Sequence, residues 1–366
     1  MKVVQFKPHL DLSDYESIKD SFVNNWVTEG PKSKLFVEKL CKLMGVKYGV
    51  LAPNGTLALY LALRAMGIGK NDEVIIPNFT FIASANAVEM VGATPIFCDI
   101  KEDLQIDIDT CKELISEKTK VIMPVHIYGM ASNMDEVVTF ANEYKLKIIE
   151  DAAQGIAVKW KNRHVGTFGS TGCFSFFADK TITTGEGGFV CTNDKTIYTK
   201  LQLLRNQGRI HRGTFIHDDI GYNFRMTDIQ SSMGLNQLKK LPYIITQKKN
   251  ILDLYNVELE GIGGISIVKP DLNSTHIPFR VALIVDGGSK ELMNYLGEND
   301  IEVRTFFYPL NEQYFYKNNK SSLTPITTQM FNEGICLPSY PTITPEEIKY
   351  VCQKIKEYVR ETSPIL

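Results

Sequence analysis

Between residues 57 and 151 the apolar positions switch repeatedly between two spacings. Leu57 to Met66 is dense and apolar at helical spacing, Glu73-Val-Ile-Ile76 is a short buried run, Ile82 to Met90 is helical again, and Thr94-Pro-Ile-Phe97 is a second short run. Lys120 to Pro124 then reads as a strand and Asp135 to Tyr144 as a helix with Val137, Phe140, Ala141 and Tyr144 on one face. Lys147-Ile-Ile149 is a further strand that runs straight into Glu150 and Asp151. Strands and helices in alternation, with the strands almost continuously apolar, predict an α/β chain built on a mostly parallel sheet covered on both faces. In such sheets ligands bind at the carboxyl ends of the strands. Asp151 and the Asn54-Gly55-Thr56 turn each lie where a strand should end.

Beyond about residue 245 the pattern changes. A long helical stretch from Asp228 to Tyr255 gives way to a strand over Pro278 to Val285, a helix near Lys290 to Leu296, a strand over Ile301 to Phe307 and a last strand over Gly334 to Leu337. The final helix has a clear start: Thr344 at the cap, Pro345 at the first helical position, and Glu347 three residues after the cap. Ile348, Val351, Cys352, Ile355 and Val359 form its apolar stripe. This α+β pattern predicts a smaller C-terminal domain over residues 246–366, following a large domain over 1–245. Lys317 to Ser322 reads as a polar loop inside the smaller one.

Composition adds exclusions. With 366 residues, 44% of them hydrophobic, the chain can bury a full core. Forty Lys and Arg against 42 Asp and Glu leave a net charge of -2, so there is no basic field to hold a nucleic-acid backbone. No apolar run has the length of a membrane span, and MKVVQFKPHL is not a secretory leader, so the expected location is cytoplasmic. Seven cysteines, with no C-x-x-C pair and no His at ligand spacing, read as reduced and mostly buried thiols; no metal site is expected.

Candidate chemistry centres on "FADKTITTGEGG", residues 177 to 188. In a nucleotide-binding loop the lysine follows the last glycine; Lys180 precedes them. A dinucleotide fingerprint opens a helix, whereas Gly187-Gly188 leads into the strand-like Phe189-Val190-Cys191-Thr192. Taken alone, Lys180 reads equally as a solvated lysine ahead of a hairpin. The turn in "PNGTLALYLAL" offers backbone N–H groups and a hydroxyl at a helix start, a seat for phosphate, or else a plain cap by Thr56. Asp151 in "IIEDAAQG" offers a strand-end carboxylate or a helix cap, "FSFFADK" offers Ser175 beside Lys180, and Phe81 in "PNFTFIASANA" is an aromatic face or a core residue. Together they supply a phosphate seat, a carboxylate and a lysine at one sheet edge. A pyridoxal 5'-phosphate enzyme needs that set: a lysine for the Schiff base and a carboxylate opposite the ring nitrogen, so that the protonated ring draws in electrons.

Three separated blocks, "NGTLALYLALRAMGIGKNDEVIIPNFTFIASANAVEMVGATPIFCDI", "EDAAQGIAVKWKNRHVGTFGSTGCFSFFADKTITTGEGGFV" and "GYNFRMTDIQSSMGLNQL", resemble in order the hallmarks of the DegT/DnrJ/EryC1/StrS sugar aminotransferases, pyridoxal phosphate enzymes of fold type I. The resemblance implies that Lys180 is the Schiff-base lysine, Asp151 the partner of the pyridinium nitrogen, and Gln154 a hydrogen-bond partner near the cofactor's hydroxyl. It further implies that Gly55, Thr56 and Ser175 hold the phosphate and that Phe81 stacks on the ring. Asn223 of "GYN" would reach the phosphate of a neighbouring subunit, which makes the expected assembly a homodimer with shared sites. The implied reaction moves an amino group from L-glutamate to a keto-sugar, with Lys180 carrying the proton. Relatives with histidine in place of the lysine remove a hydroxyl instead, an outcome Lys180 argues against.

The stretches "LLRNQGRIHRGTFIHDDIGYNFRM" and "IEVRTFFYPLNEQYFYKNN" resemble the branch of the family that aminates C4 of nucleotide-linked 4-keto-6-deoxyhexoses. Arg209, His217 and Arg304 are the groups expected near the sugar or its diphosphate, with roles as surface or structural residues equally open for each. A 3-keto sugar nucleotide and an amino-acid substrate stay open as alternatives. A transcription regulator with an aminotransferase-like domain is disfavoured, since the chain has neither the spare length nor the positive charge for a DNA-binding module.

Overall fold

The computed structural model describes residues 1–209 and 215–362. In chain order the strands of the first half are β1 (Tyr48–Ala52), β2 (Glu73–Pro77), β3 (Thr94–Cys98), β4 (Thr119–Ile122), β5 (Lys147–Asp151), the small hairpin of β6 (Lys159–Trp160) and β7 (Arg163–His164), β8 (Thr171–Ser175) and β9 (Gly188–Thr192). Seven of them form one sheet in the order β1-β9-β8-β5-β4-β2-β3. β3, β2, β4, β5 and β8 are parallel, while β9 runs antiparallel to both β8 and β1. The reversal follows from the β8–β9 connection, which contains no helix, so the chain folds back beside β8 and does not cross over the sheet.

Alternate residues of these strands feed two different cores, which is why their sequences are apolar throughout. Ile75, Ile96, Ile122, Ile148, Phe174 and Phe189 pack on one side. Val74, Ile76, Val121, Ile149, Cys173 and Val190 pack on the other, beneath the helix Gly55–Ala65. All seven cysteines are free thiols, and all but Cys41 are buried.

A second sheet, antiparallel throughout, has the order β10-β11-β13-β12, with β10 at Ile265–Ile267, β11 at Val281–Val285, β12 at Arg304–Thr305 and β13 at Gly334–Leu337. The helix Asp228–Leu259 serves both halves: Leu241 and Ile244 join the core of the large sheet, and Ile251, Tyr255 and Leu259 join that of the small one. Residue 245, where the sequence pattern changes, lies within this helix. The last helix begins with the expected capping box, Glu347 N–H donating to Thr344 Oγ1 at 3.2 Å and Thr344 N–H to Glu347 Oε2 at 2.7 Å.

Two C-terminal strands are shorter than predicted because the backbone ahead of each finds other partners. Ile277 and Phe279 donate to the carbonyls of Gly129 and Tyr128, both at 3.0 Å, so only Val281 onward joins the strand. Ile301 pairs with Val3 near the N-terminus, which leaves Arg304–Thr305 as the strand proper. The polar loop Lys317 to Ser322 docks on β3, with Phe97 N–H donating to the Lys320 carbonyl and Ser322 N–H to the Phe97 carbonyl. It thereby covers an edge of the large sheet.

Glu150 fixes the end of β5. Its side chain is fully buried and accepts from the N–H groups of Gly166 (2.6 Å), Phe168 (2.6 Å) and Gly169 (2.8 Å) and from His126 Nε2 (3.1 Å). His126 Nδ1 accepts from Ser132 N–H, so the ring carries its proton on Nε2 and donates it to Glu150. Both carboxylate oxygens thus face only donors. Glu150→Gln sets an amide NH2 against N–H groups in either orientation, and we expect it to destabilise the protein by about 2–4 kcal/mol. Thermal and urea unfolding midpoints matching the parent protein's would contradict this account of Glu150.

Candidate active site

The register of β9 gathers the site. Gly188, its first residue, pairs with Ala52 at the end of β1 and with Ser175 at the end of β8. A Cβ at Gly188 would collide with the Asn54 carbonyl, so glycine allows these strand ends to close up. Gly55 approaches Ser175 as tightly: a Cβ on it would stand 2.9 Å from that of Ser175. On the other side of β8, Asp151 ends β5 in register with Cys173.

At this edge the helix Gly55–Ala65 is capped by Asn54, whose Oδ1 accepts from Leu57 N–H at 2.9 Å, where Thr56 had been the alternative cap. The Gly55 and Thr56 N–H groups of the first turn have no acceptor within the helix, and they lie at its positive end. With Ser175 Oγ beside them they are a fit for a phosphate. Gly55, Thr56, Phe81, Asp151, Gln154, Ser175, Lys180 and Arg304 all line one cavity of about 410 Å³. That volume suits a cofactor or other small molecule.

Asp151 is buried and caps no helix; Ser84 Oγ donates to its Oδ2 at 2.7 Å and Ala153 N–H to its Oδ1 at 3.1 Å. Burial pushes its carboxyl above the ordinary range, and the bonds from Ser84 and Ala153 offset only part of that. A protonated ring nitrogen set against it would favour the ionised form again. Gln154 Oε1 accepts from Tyr128 N–H at 2.6 Å, which leaves its NH2 to donate into the cavity. Phe81 is 58% exposed at the cavity wall, so it is no core residue, and its ring meets that of Phe307 edge-on at 6.3 Å.

Lys180 is not a solvated lysine. Only 15% of its side chain is exposed, and Nζ lies 4.5 Å from the centre of the Phe279 ring. Burial lowers its pKa, opposed by Asp179, whose Oδ1 lies 3.7 Å from Nζ, and reinforced by Arg280. The turn behind it closes by hydrogen bonds from Thr184 N–H and Thr183 Oγ1 to the Phe176 carbonyl. Cation, carboxylate, amide and phosphate seat therefore surround one cavity, the set that pyridoxal 5'-phosphate requires.

Arg304 stands at the cavity with 56% of its side chain exposed, 3.8 Å from Asp179 Oδ2. Arg209, His217 and Asn223 do not line this cavity. They lie together on another surface: Asn223 bridges Asn206, whose Nδ2 donates to the Arg209 carbonyl, and His217 Nδ1 contacts the Gln207 carbonyl. Conversely, Asp179, Phe279 and Arg280 line the cavity without having been singled out in the sequence. Asp179, next to Lys180, could have been noticed there. Arg280 could not, because its pairing with Asp179 spans 101 residues of chain.

The comparisons with known proteins agree with this geometry. The DegT/DnrJ/EryC1/StrS aminotransferase family model matches residues 8–356. The chain is 38% identical over 357 residues to GDP-perosamine synthase of Escherichia coli O157:H7, covering 96% of this chain and 97% of that one. It is 36% identical over 360 residues to GDP-perosamine synthase of Vibrio cholerae, with 96% and 98% covered. The solved structure of Helicobacter pylori PseC, an aminotransferase involved in the biosynthesis of pseudoaminic acid, superposes with a TM-score of 0.93 at 26% identity, covering 99% of this chain and all of that one. The chain belongs to the DegT/DnrJ/EryC1/StrS family and is a sugar aminotransferase dependent on pyridoxal 5'-phosphate.

Proposed function

We propose that the enzyme transfers the amino group of L-glutamate to C4 of a nucleotide-linked 4-keto-6-deoxyhexose, giving a 4-amino-4,6-dideoxy sugar nucleotide. The observation that carries this reading is the likeness, along nearly the whole chain, to two proteins named GDP-perosamine synthase. It favours the GDP-linked, perosamine-type product over the viosamine type built on UDP or dTDP. Arg304 at the cavity mouth supplies a guanidinium suited to a donor carboxylate or a sugar diphosphate.

In this reading the chain's own residues divide the work. Gly55 and Thr56 N–H and Ser175 Oγ would hold the phosphate, Asp151 would accept from the protonated ring nitrogen, the Gln154 amide would donate to the ring hydroxyl, and Phe81 would stack on the ring. When bound, pyridoxal 5'-phosphate is the covalent electron sink that makes the donor's α-proton acidic. Lys180, its pKa lowered by burial, takes that proton as a neutral amine and later returns one to C4 of the sugar. Phe81, Phe279 and Phe307 form aromatic walls of the cavity around it.

The same reading makes the enzyme a homodimer in which Asn223 completes the partner's phosphate site. Asn223 stands outside its own chain's cavity, and Phe215, Ile216 and Ile220 near it are 88%, 73% and 70% exposed, an apolar surface suited to a second copy. No described helix is long and apolar enough to cross a membrane.

Two experiments test these assignments. Incubation with L-glutamate and a panel of nucleotide-linked keto-sugars, with products identified by mass, is expected to give amination of 4-keto-6-deoxy substrates, fastest for the GDP-linked one. Turnover of a 3-keto sugar nucleotide and of no 4-keto one would refute C4 specificity. In the second, an inactive Lys180→Ala chain is mixed with an inactive Asn223→Ala chain, and hybrid dimers should recover about a quarter to a half of the parent activity per hybrid, because one of two shared sites is intact. Demonstrated hybrids without recovery would return Asn223 to its own subunit's site.

A further inference from the structure

The residue before Lys180 faces both ways. Asp179 is 11% exposed; its Oδ2 takes a 2.6 Å ion pair from Arg280 Nη2, and Arg304 Nη1 stands 3.8 Å from the same oxygen. Its Oδ1 is buried and has no hydrogen-bond partner. A buried carboxylate oxygen without a donor is costly, and a native fold rarely leaves one without a purpose. The nearby cation is Lys180, whose Nζ lies 3.7 Å away, too far for a hydrogen bond but within about 1 Å of one. Arg280 cannot fill the place, since it is fixed to Oδ2 and lies over the Phe279 ring at 4.4 Å.

We propose that Asp179 is a positioning residue for Lys180: Oδ1 is the acceptor that receives the lysine's amine whenever that amine is not attached to the cofactor, while the Arg280 pair keeps the carboxylate aimed. The inference rests on Lys180 being the amine of the proposed reaction. An amine held this way stays at the cavity and does not swing toward the space lined by Phe6, His9 and Lys248 behind it. The titratable and charged groups that share these two spaces with Lys180 are Asp179 on its own loop, Glu186 in the turn after it, Arg280 ahead of β11, Arg304 on β12, Asp151 at the end of β5, Lys248 on the long helix, and Lys7 and His9 near the N-terminus. Asp179 raises the amine's proton affinity and Arg280 lowers it. The two partners of one ion pair therefore act on Lys180 in opposite senses, a pattern that loss of packing alone does not produce.

The test is the pH dependence of Lys180 labelling by acetic anhydride, read by peptide mass on the holoenzyme with its cofactor in the amine form, which leaves the lysine unattached. For Asp179→Asn, an isosteric change that can still accept from Arg280, we expect the labelling midpoint to fall by about one pH unit or more. For Arg280→Gln it should rise, and Asp179→Glu should restore the parent value in part. An unmoved midpoint in Asp179→Asn, or shifts of the same sign in Asp179→Asn and Arg280→Gln, would overturn the proposal. Should Asp179→Asn not fold, the expected rise in Arg280→Gln decides, and its absence counts against the proposal. The readout needs no sugar, so failure here is distinct from failure of the substrate assignment.

Discussion

Because β9 is inserted between two strands that run the other way, its first residue must pair with the last residues of both, and that pairing joins the helix start of the phosphate seat to the loop of Lys180. Gly188 meets Ala52 and Ser175 at one point of the sheet edge, and only a residue without Cβ lets the Asn54 carbonyl lie against it. Ala52 delivers the helix start that carries the Gly55 and Thr56 N–H groups. Ser175 delivers the loop that carries Lys180. The parallel pairing of β8 with β5 then brings Asp151 to the same edge.

Position alone would not make these groups reactive; burial does. The low-dielectric cavity pushes the Asp151 carboxyl and the Lys180 amine each toward its neutral form. For the lysine this favours the free base needed to take a proton. For the aspartate it creates a demand for a cationic partner, which a protonated ring nitrogen would meet. Glu150, one residue before Asp151, is equally buried but fully supplied with donors, so it anchors the strand and leaves the chemistry to its neighbour. Adjacent carboxylates on one strand thus serve opposite ends because one faces backbone N–H groups and the other faces a cavity.

The parallel strands were legible because each is buried on both faces and so reads as an unbroken apolar run. The helix Leu12–Val23 was not, since its buried residues are Asp14 and Ser21 and its docking relies on Lys240 and Gln237 donating to Asp14. The residues that gather in the cavity were legible as motif positions on strand ends. Arg280 and Phe279 were not, because their place depends on backbone bonds to Tyr128 and Gly129 that no local pattern encodes. Arg209 and His217 were read from sequence as one class with Arg304, yet the fold places them on a separate surface beside Asn223, because that grouping depends on the pairing of Asn206 with Asn223 and on loop contacts that no local pattern encodes.

Lys180, as the residue that would carry the cofactor, has a specific rival in the same region of the fold. Lys248 is also buried, its pKa is pushed down to about 7 chiefly by burial, and it shares the space behind the site with Lys180. It is nevertheless engaged elsewhere, donating to the carbonyls of Pro278 at 3.1 Å and Ser339 at 3.4 Å, and it does not line the main cavity. Borohydride reduction of the holoenzyme followed by peptide mapping distinguishes the two directly. We expect the cofactor's mass on the peptide containing Lys180 and on no other; the same mass on the Lys248 peptide, with Lys180 unmodified, would move the Schiff base to Lys248.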